Sequence, residues 1–158
     1  MRAGRHGGGP AALPHPTSNA PLAVLVDTSG LYALIDADDH DHLAVRSFVA
    51  ECREALVVPV TVLPEIDYLV ASRLGVRVEL AMLRSVVSAE LRLEPLTAND
   101  LQRCIEIVET YADSDIGLVD ASILALAERH RITRVLTLDH RHFRMFRPRH
   151  CAALDLVP

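Results

Sequence analysis

A single α/β domain built on a parallel sheet is the fold class this sequence predicts, and three observations carry it. Half of the 158 residues are hydrophobic while only 4% are aromatic, a balance that favours an aliphatic core of strands and helices over an aromatic-rich β-sandwich or a disordered chain. Leu22-Ala-Val-Leu-Val26 is apolar without alternation and stops at Asp27-Thr28-Ser29-Gly30, as a strand does when helices bury both of its faces. Shorter apolar runs over 55–60 and 134–138 recur between stretches of helical period, the alternation of a parallel sheet. One domain of this length is enough to bury a core.

In chain order, residues 1–21 are rich in Gly, Pro, Ala, Arg and His without periodicity. They read as a flexible N-terminal tail outside a domain spanning 22–158. The first strand ends at Asp27, where open parallel sheets bind their ligands; the simpler reading is an aspartate that caps the next helix. That helix covers 30–35, with Thr28 or Ser29 as its cap. A polar loop over 36–41 precedes a helix over 42–52, whose apolar positions are Leu43, Val45, Phe48, Val49 and Cys52. His40 and His42 lack the third ligand and the helical His pair of a zinc centre, so they read as a solvated loop.

A strand over 55–60 tolerates Pro59 near its end. Thr61 caps the following helix, Pro64 sits in its first turn, and Glu65 lies near its positive end. Dipole complementarity alone would give Glu65 about 0.3–1 kcal/mol. Gly75 separates this helix from another over 76–89, and the pair reads as a projecting hairpin. A short strand within 90–96 leads to Thr97, the cap of a helix running to about 111 with Ile105, Val108 and Ala112 on its buried side. From Leu118 a core helix carries Asp120 in its first turn. The strand over 134–139 ends in Asp139 as the first ends in Asp27. A short helix over 140–146 and a last strand over 151–157 complete the chain.

Several function classes are excluded. All sixteen basic residues are Arg and none is Lys, which removes the lysine-dependent P-loop and Schiff-base chemistry. It also removes a phosphoacceptor receiver domain. The lone Gly30 after Asp27 is not a dinucleotide fingerprint. Cys52, Cys104 and Cys151 are odd in number and widely spaced, and read as core residues. A formal charge of −5 argues against nucleic-acid binding by bulk charge but leaves room for a local basic face. With neither a transmembrane stretch nor a signal-peptide h-region in the sequence, a cytoplasmic location and no membrane partner are expected.

Right-handed connections bring Asp27, Glu65, Asp120 and Asp139 to the same edge of such a sheet. Gathered carboxylates repel one another unless some protonate or cations bind. Oxygen ligands without His or Cys suit Mg²⁺ or Mn²⁺, and the chemistry that follows is phosphodiester hydrolysis. Asp27 and Asp120 are assigned as the principal metal ligands. Glu65 and Asp139 complete the shell directly or through water and orient the nucleophile, with Thr28, Ser29 and Thr137 behind them. Asp113 and Asp115 precede Asp120 in a polar loop and read as solvated, Asp115 remaining a fifth candidate.

Val-Asp27-Thr-Ser, Glu65 at a helix start, Val-Asp120-Ala-Ser-Ile-Leu-Ala-Leu-Ala-Glu and Leu-Thr137-Leu-Asp139-His-Arg-His-Phe143 resemble, in order and spacing, the PIN-domain family. The resemblance is to its VapC-type ribonuclease toxins and covers 22–158. It implies a Rossmann-like three-layer α/β/α sandwich and a Mg²⁺- or Mn²⁺-dependent endoribonuclease of a bacterial toxin–antitoxin system. It further implies a homodimer and a small cognate VapB-type antitoxin that blocks the active site, alone or in a larger assembly. The tail before Leu22 is extra to this pattern, and Asp115 leaves the number of metals open. Arg141, Arg144, Arg147 and Arg149 with His140, His142 and His150 form the densest basic stretch near the acids and could hold RNA phosphates, although each residue reads first as an exposed, solvated surface. Arg73 and Arg77 at the hairpin tip are similarly placed to touch RNA across a dimer groove. The competing reading is a catalytically inactive PIN-like binding or scaffold domain, its acids holding a structural cation or a partner's arginine.

Overall fold

Strand β1 (Ala23–Val26) lies at the centre of the sheet, and Val24, Leu25 and Val26 are completely buried. The computed structural model describes residues 23–158; the tail over 1–21, and Leu22 at the head of β1, lie outside the described residues. Strands β2 (Ala55–Pro59), β3 (Arg92–Glu94), β4 (Arg134–Leu136) and β5 (Asp155–Val157) join β1 in the order β3-β2-β1-β4-β5, all parallel. The chain runs outward from β1 through β2 to β3, then returns past β1 to β4. With right-handed crossovers that reversal puts the connecting helices on opposite faces, and it opens a crevice at the carboxyl ends of β1 and β4.

Helices α1 (Thr28–Ile35), α2 (His42–Glu51), α3 (Val62–Arg73) and α4 (Val76–Val87) pack on one another, α1 against α2 and α3, and α3 against α4. Across the sheet, α5 (Ala98–Thr110) packs on α6 (Leu118–His130), and α6 on β1 and β2. This is the three-layer α/β/α arrangement. Residues 121–127 of α6 are all buried, as in a helix enclosed by its neighbours. Helix α7 (His140–Met145) carries Phe143, which meets Phe146 edge to face; Phe146 meets Tyr111 in the same way and closes that side of the core. Among the described residues no helix is long and apolar enough to cross a membrane.

The observed elements depart from the expected ones in instructive places. The strands are shorter, with β5 reduced to Asp155–Val157. Thr97 caps α5 as expected, in a capping box with Asp100. The buried side of α5, however, is Asp100, Cys104 and Ile107, while Ile105 is 52% exposed and Ala112 is exposed. Both stripes of α5 carry apolar residues, and polar contacts choose between them. Arg103 forks onto Glu128 of α6 at 2.7 and 3.0 Å, and Arg129 of α6 pairs with Asp100 and Glu94, a rotation that turns Leu101 and Ile105 outward. Helix α4 buries only Met82 and leaves Leu80 and Val87 exposed, since it packs chiefly on α3 at the edge of the domain. Cys104 is a core residue, its thiol pushed up to about 11 chiefly by burial; Cys52 and Cys151 are only half-buried, and all three are free.

Gly30 sets how closely α1 approaches β4. A Cβ there would lie 2.6 Å from the Leu136 carbonyl oxygen and 2.8 Å from the Leu136 side chain. A helical glycine ordinarily weakens a helix by about 0.5–1 kcal/mol relative to alanine, yet here the larger residue has no room. Gly30→Ala is expected to destabilise the protein by about 1–3 kcal/mol, read as a lower urea midpoint; an unchanged midpoint would show that α1 and β4 separate freely.

Candidate active site

Asp27 follows β1 and is only 6% exposed. It occupies the N-cap position of α1, but its side chain caps nothing. Nor do Thr28 and Ser29 cap the helix as expected; both lie inside its first turn, and their hydroxyls serve the acids. Ser29 Oγ donates to Asp27 Oδ2 at 2.7 Å, and Thr137 Oγ1 donates to the same oxygen at 2.8 Å. Each hydroxyl has one proton, so each remains an acceptor: Ser29 Oγ takes the Leu138 N–H at 2.9 Å and Thr137 Oγ1 the Asp139 N–H at 3.0 Å. The two chain ends emerging from β1 and β4 are thereby stitched together through Asp27. Its Oδ1 has no donor among the described residues.

Glu65 lies in the first turn of α3 and accepts a 2.5 Å hydrogen bond from Thr28 Oγ1. Thr61, at the N-cap position of α3, does not cap with its side chain; its hydroxyl meets Ser122 Oγ of α6 at 2.6 Å. Ser122 spends its own proton on the Val119 carbonyl at 2.7 Å, so Thr61 is the donor. That contact ties the start of α3, with Glu65, to the start of α6, with Asp120.

Asp120 reaches back to the Gly117 N–H at 3.4 Å. Burial raises its pKa above the ordinary carboxyl value; the Gly117 N–H opposes this, the charges of Asp27 and Asp139 add to it, and His142 opposes it. Asp139 caps α7, accepting the His142 N–H at 3.2 Å, and it also holds His142 Nδ1 at 2.6 Å.

Asp27, Glu65, Asp120 and Asp139 all line one cavity of about 470 Å³, together with Thr28, Ser29, Asp39 and His142. Tyr32, Leu69, Arg73, Val119 and Leu138 complete the wall. Among the described residues no three His, Cys, Asp or Glu side chains are already gathered into a cage around a common point. Carboxylate oxygens with open space before them still suit Mg²⁺, which keeps several waters and needs only one or two carboxylates. The unpartnered Asp27 Oδ1 supplies an oxygen of that kind.

Asp113 and Asp115 are exposed and do not line the cavity, so Asp115 is not brought to the other acids. Of the basic stretch, Arg147 turns its guanidinium onto the carbonyls of Arg144, Met145 and Phe146. Arg149 pairs with Glu106, and His150 bonds the Ile132 carbonyl. These three serve the fold. Arg73 lines the cavity and Arg77 does not.

Asp39, Tyr32 and Leu69 are wall residues absent from the sequence-based set. Tyr32 stands one turn after Thr28 on α1, and Leu69 and Arg73 stand one and two turns after Glu65 on α3, so helical spacing carried a signal for them. Asp39 sits in the 36–41 loop, where spacing carries none.

A sequence profile described as the PIN domain matches residues 24–147. The chain is 40% identical over 135 residues to Ribonuclease VapC26 of Mycobacterium tuberculosis, covering 85% of this chain and all of that protein. Its fold is similar to the crystal structure of M. tuberculosis VapC20, described as a sarcin–ricin-loop-cleaving toxin. That match has a TM-score of 0.70 and 25% identity over 75% of this chain and 91% of the other. It is also similar in fold to DNA-bound VapBC from Salmonella typhimurium, with a TM-score of 0.63 and 18% identity over 85% of this chain and 96% of the other.

Thr137 is completely buried and joins Asp27 to the Asp139 backbone. Thr137→Val keeps the shape and removes both bonds, and is expected to cost about 1–3 kcal/mol of folding stability. Thr137→Ser, which retains the hydroxyl, should recover most of the loss of hydrogen bonding in the same urea titration. Equal stability of the Val variant and the native chain would show that the lattice does not hold the site.

Proposed function

The chain belongs to the PIN-domain family, and from its relation to the VapC ribonucleases we propose that it is an endoribonuclease toxin of a toxin–antitoxin system. On this reading it hydrolyses RNA phosphodiester bonds at a divalent-metal site built from Asp27, Glu65, Asp120 and Asp139. The observation that carries the proposal is that four separate segments each contribute an acid to one cavity, in a chain 40% identical to a ribonuclease over that protein's whole length.

Asp27 and Asp120 hold the ion, Mg²⁺ or Mn²⁺, and Glu65 and Asp139 complete its surroundings directly or through water. When bound, the ion lowers the pKa of water and offsets the negative charge that develops on the phosphate oxygens. The remaining work belongs to the chain. Ser29 and Thr137 hold Asp27 by Oδ2 and leave Oδ1 without a protein donor; Thr28 fixes Glu65; His142 fixes Asp139. Such supporting bonds commonly carry about 10–100-fold of a site's metal affinity or activity. Membership of this group also leads us to expect a homodimer and a VapB-type antitoxin that covers the cavity.

The purified chain, free of antitoxin, is expected to cut total RNA at discrete positions in Mg²⁺ or Mn²⁺, leave 5′-phosphates, and lose activity in EDTA. Asp27→Asn and Asp120→Asn should each lower the rate about a hundredfold or more. Cleavage that survives both substitutions would assign the activity to a contaminant. A folded, antitoxin-free chain that cuts nothing would replace the nuclease by a non-catalytic binding domain.

A further inference from the structure

We propose that Arg73 is the RNA-phosphate anchor of this cavity, held in place by the ring of Tyr32 and gripping a phosphate next to the one being cut. The inference rests on the nuclease reading above and deepens it by naming how a polyanion is held against a wall of acids.

The cavity wall carries five carboxylates, Asp27, Asp39, Glu65, Asp120 and Asp139, against Arg73 and the imidazole of His142, which is already bonded to Asp139. An arginine beside so many acids ordinarily pairs with one. Arg92, Arg103, Arg129, Arg134 and Arg149 all do so elsewhere in the molecule, whereas among the described residues Arg73 pairs with none. Its guanidinium carbon instead lies 5.6 Å from the centre of the Tyr32 ring. Stacking on an aromatic face restrains a guanidinium while leaving its N–H donors free for a bidentate partner. The side chain is exposed, so that partner can come from solution.

Two parallel rows of residues create this arrangement. Thr28 and Tyr32 are one turn apart on α1, and Glu65, Leu69 and Arg73 are successive turns of α3. The lower pair, Thr28 and Glu65, meets at the acids through the 2.5 Å hydrogen bond; the upper pair, Tyr32 and Arg73, meets at the rim. Eight residues of helix separate the Glu65 and Arg73 backbones by about 12 Å. Side chains of a helix lean toward its N-terminus, which brings the Arg73 guanidinium back toward the cavity without carrying it to the floor. That spacing suits a neighbouring phosphate of a bound strand. Arg77, in the first turn of α4 beyond Gly75, is outside the wall.

The test uses the full chain carrying Asp27→Asn, in which the amide oxygen can still accept from Ser29 and Thr137, so that RNA is bound in Mg²⁺ without being cut. Binding of a fluorescein-labelled, mixed-sequence single-stranded RNA is followed by anisotropy across a range of salt. Adding Arg73→Ala should weaken binding about tenfold, the scale of one charge-assisted contact, and reduce the slope of log affinity against log salt by about 0.7. Arg73→Lys should keep the slope and recover part of the affinity. Tyr32→Leu should weaken binding with the slope retained. In the cleaving chain, Arg73→Ala should raise KM more than it lowers kcat.

Unchanged affinity and slope in Arg73→Ala would overturn the assignment. So would an equal loss in Arg77→Ala, since the effect would then be bulk charge. If the Asp27→Asn chain binds no RNA and the native chain cuts none, the nuclease reading fails instead, and Arg73 with it.

Discussion

The carboxyl group of Asp27, carried to the end of the buried central strand run 24–26 with hydroxyls as its donors, is the constraint on which the rest of the arrangement depends. A buried polar group without partners costs about as much as a sizeable share of a domain's net stability. Ser29 stands two residues away in the chain, and Thr137 comes within reach because α1 rests on the end of β4. Gly30 permits that approach; Ser29 and Thr137 then reach Oδ2 together, and their acceptor sides take the N–H groups of Leu138 and Asp139. The same contacts that satisfy Asp27 therefore fix where Asp139 stands. Packing of backbone against backbone, several residues from the cavity floor, sets the spacing of two of its acids.

The rest of the wall is registered by a second set of hydroxyls. Thr28 links α1 to Glu65, and Thr61 links the start of α3 to Ser122 in α6, two residues past Asp120. Hydroxyls can do this because they donate and accept at once without adding charge to a cluster already rich in acids. An arginine or histidine at these positions would pair with the carboxylates and occupy the oxygens that an ion or its waters need. On the proposed reading, the preference for Ser and Thr behind the acids follows from keeping the remaining carboxylate oxygens available.

Much of this was legible in the sequence, and the failures have physical causes. The apolar run ending at Asp27, the matching end at Asp139, and the first-turn positions of Glu65 and Asp120 follow from period and capping rules, and the structure brings all four to one cavity. The parallel order follows from short strands alternating with helices. Thr28, Ser29 and Thr137 read from the sequence as standing behind the acids, and they do, although Thr28 and Ser29 are equally legible as caps. The distant partner of Thr61 did not follow, because a hydroxyl at a helix start suits a local cap as well, and only the packing of α3 on α6 decides. The rotation of α5 was illegible for a similar reason: its two apolar stripes are nearly equivalent, and the choice is made by Arg103 and Arg129 meeting acids far away in sequence. The basic stretch near the C-terminus illustrates the limit of charge counting, since Arg147 caps a helix and Arg149 pairs with Glu106.

A chain of formal charge −5 with an acid-lined cavity repels a nucleic-acid backbone at long range, and several of its arginines are already neutralised by partners on the α5–α6 side. Binding RNA then requires the cavity's charge to be offset locally. Asp120 is raised chiefly by burial, with the Gly117 N–H and His142 opposing and the charges of Asp27 and Asp139 adding to the shift. Because the acids line an open wall instead of closing into a cage, a divalent ion, on the proposed reading, would be held there by few protein oxygens. Ion and substrate would thus relieve the same repulsion and favour each other's binding, a coupling that a fully enclosed ion, already satisfied by protein ligands, could not provide.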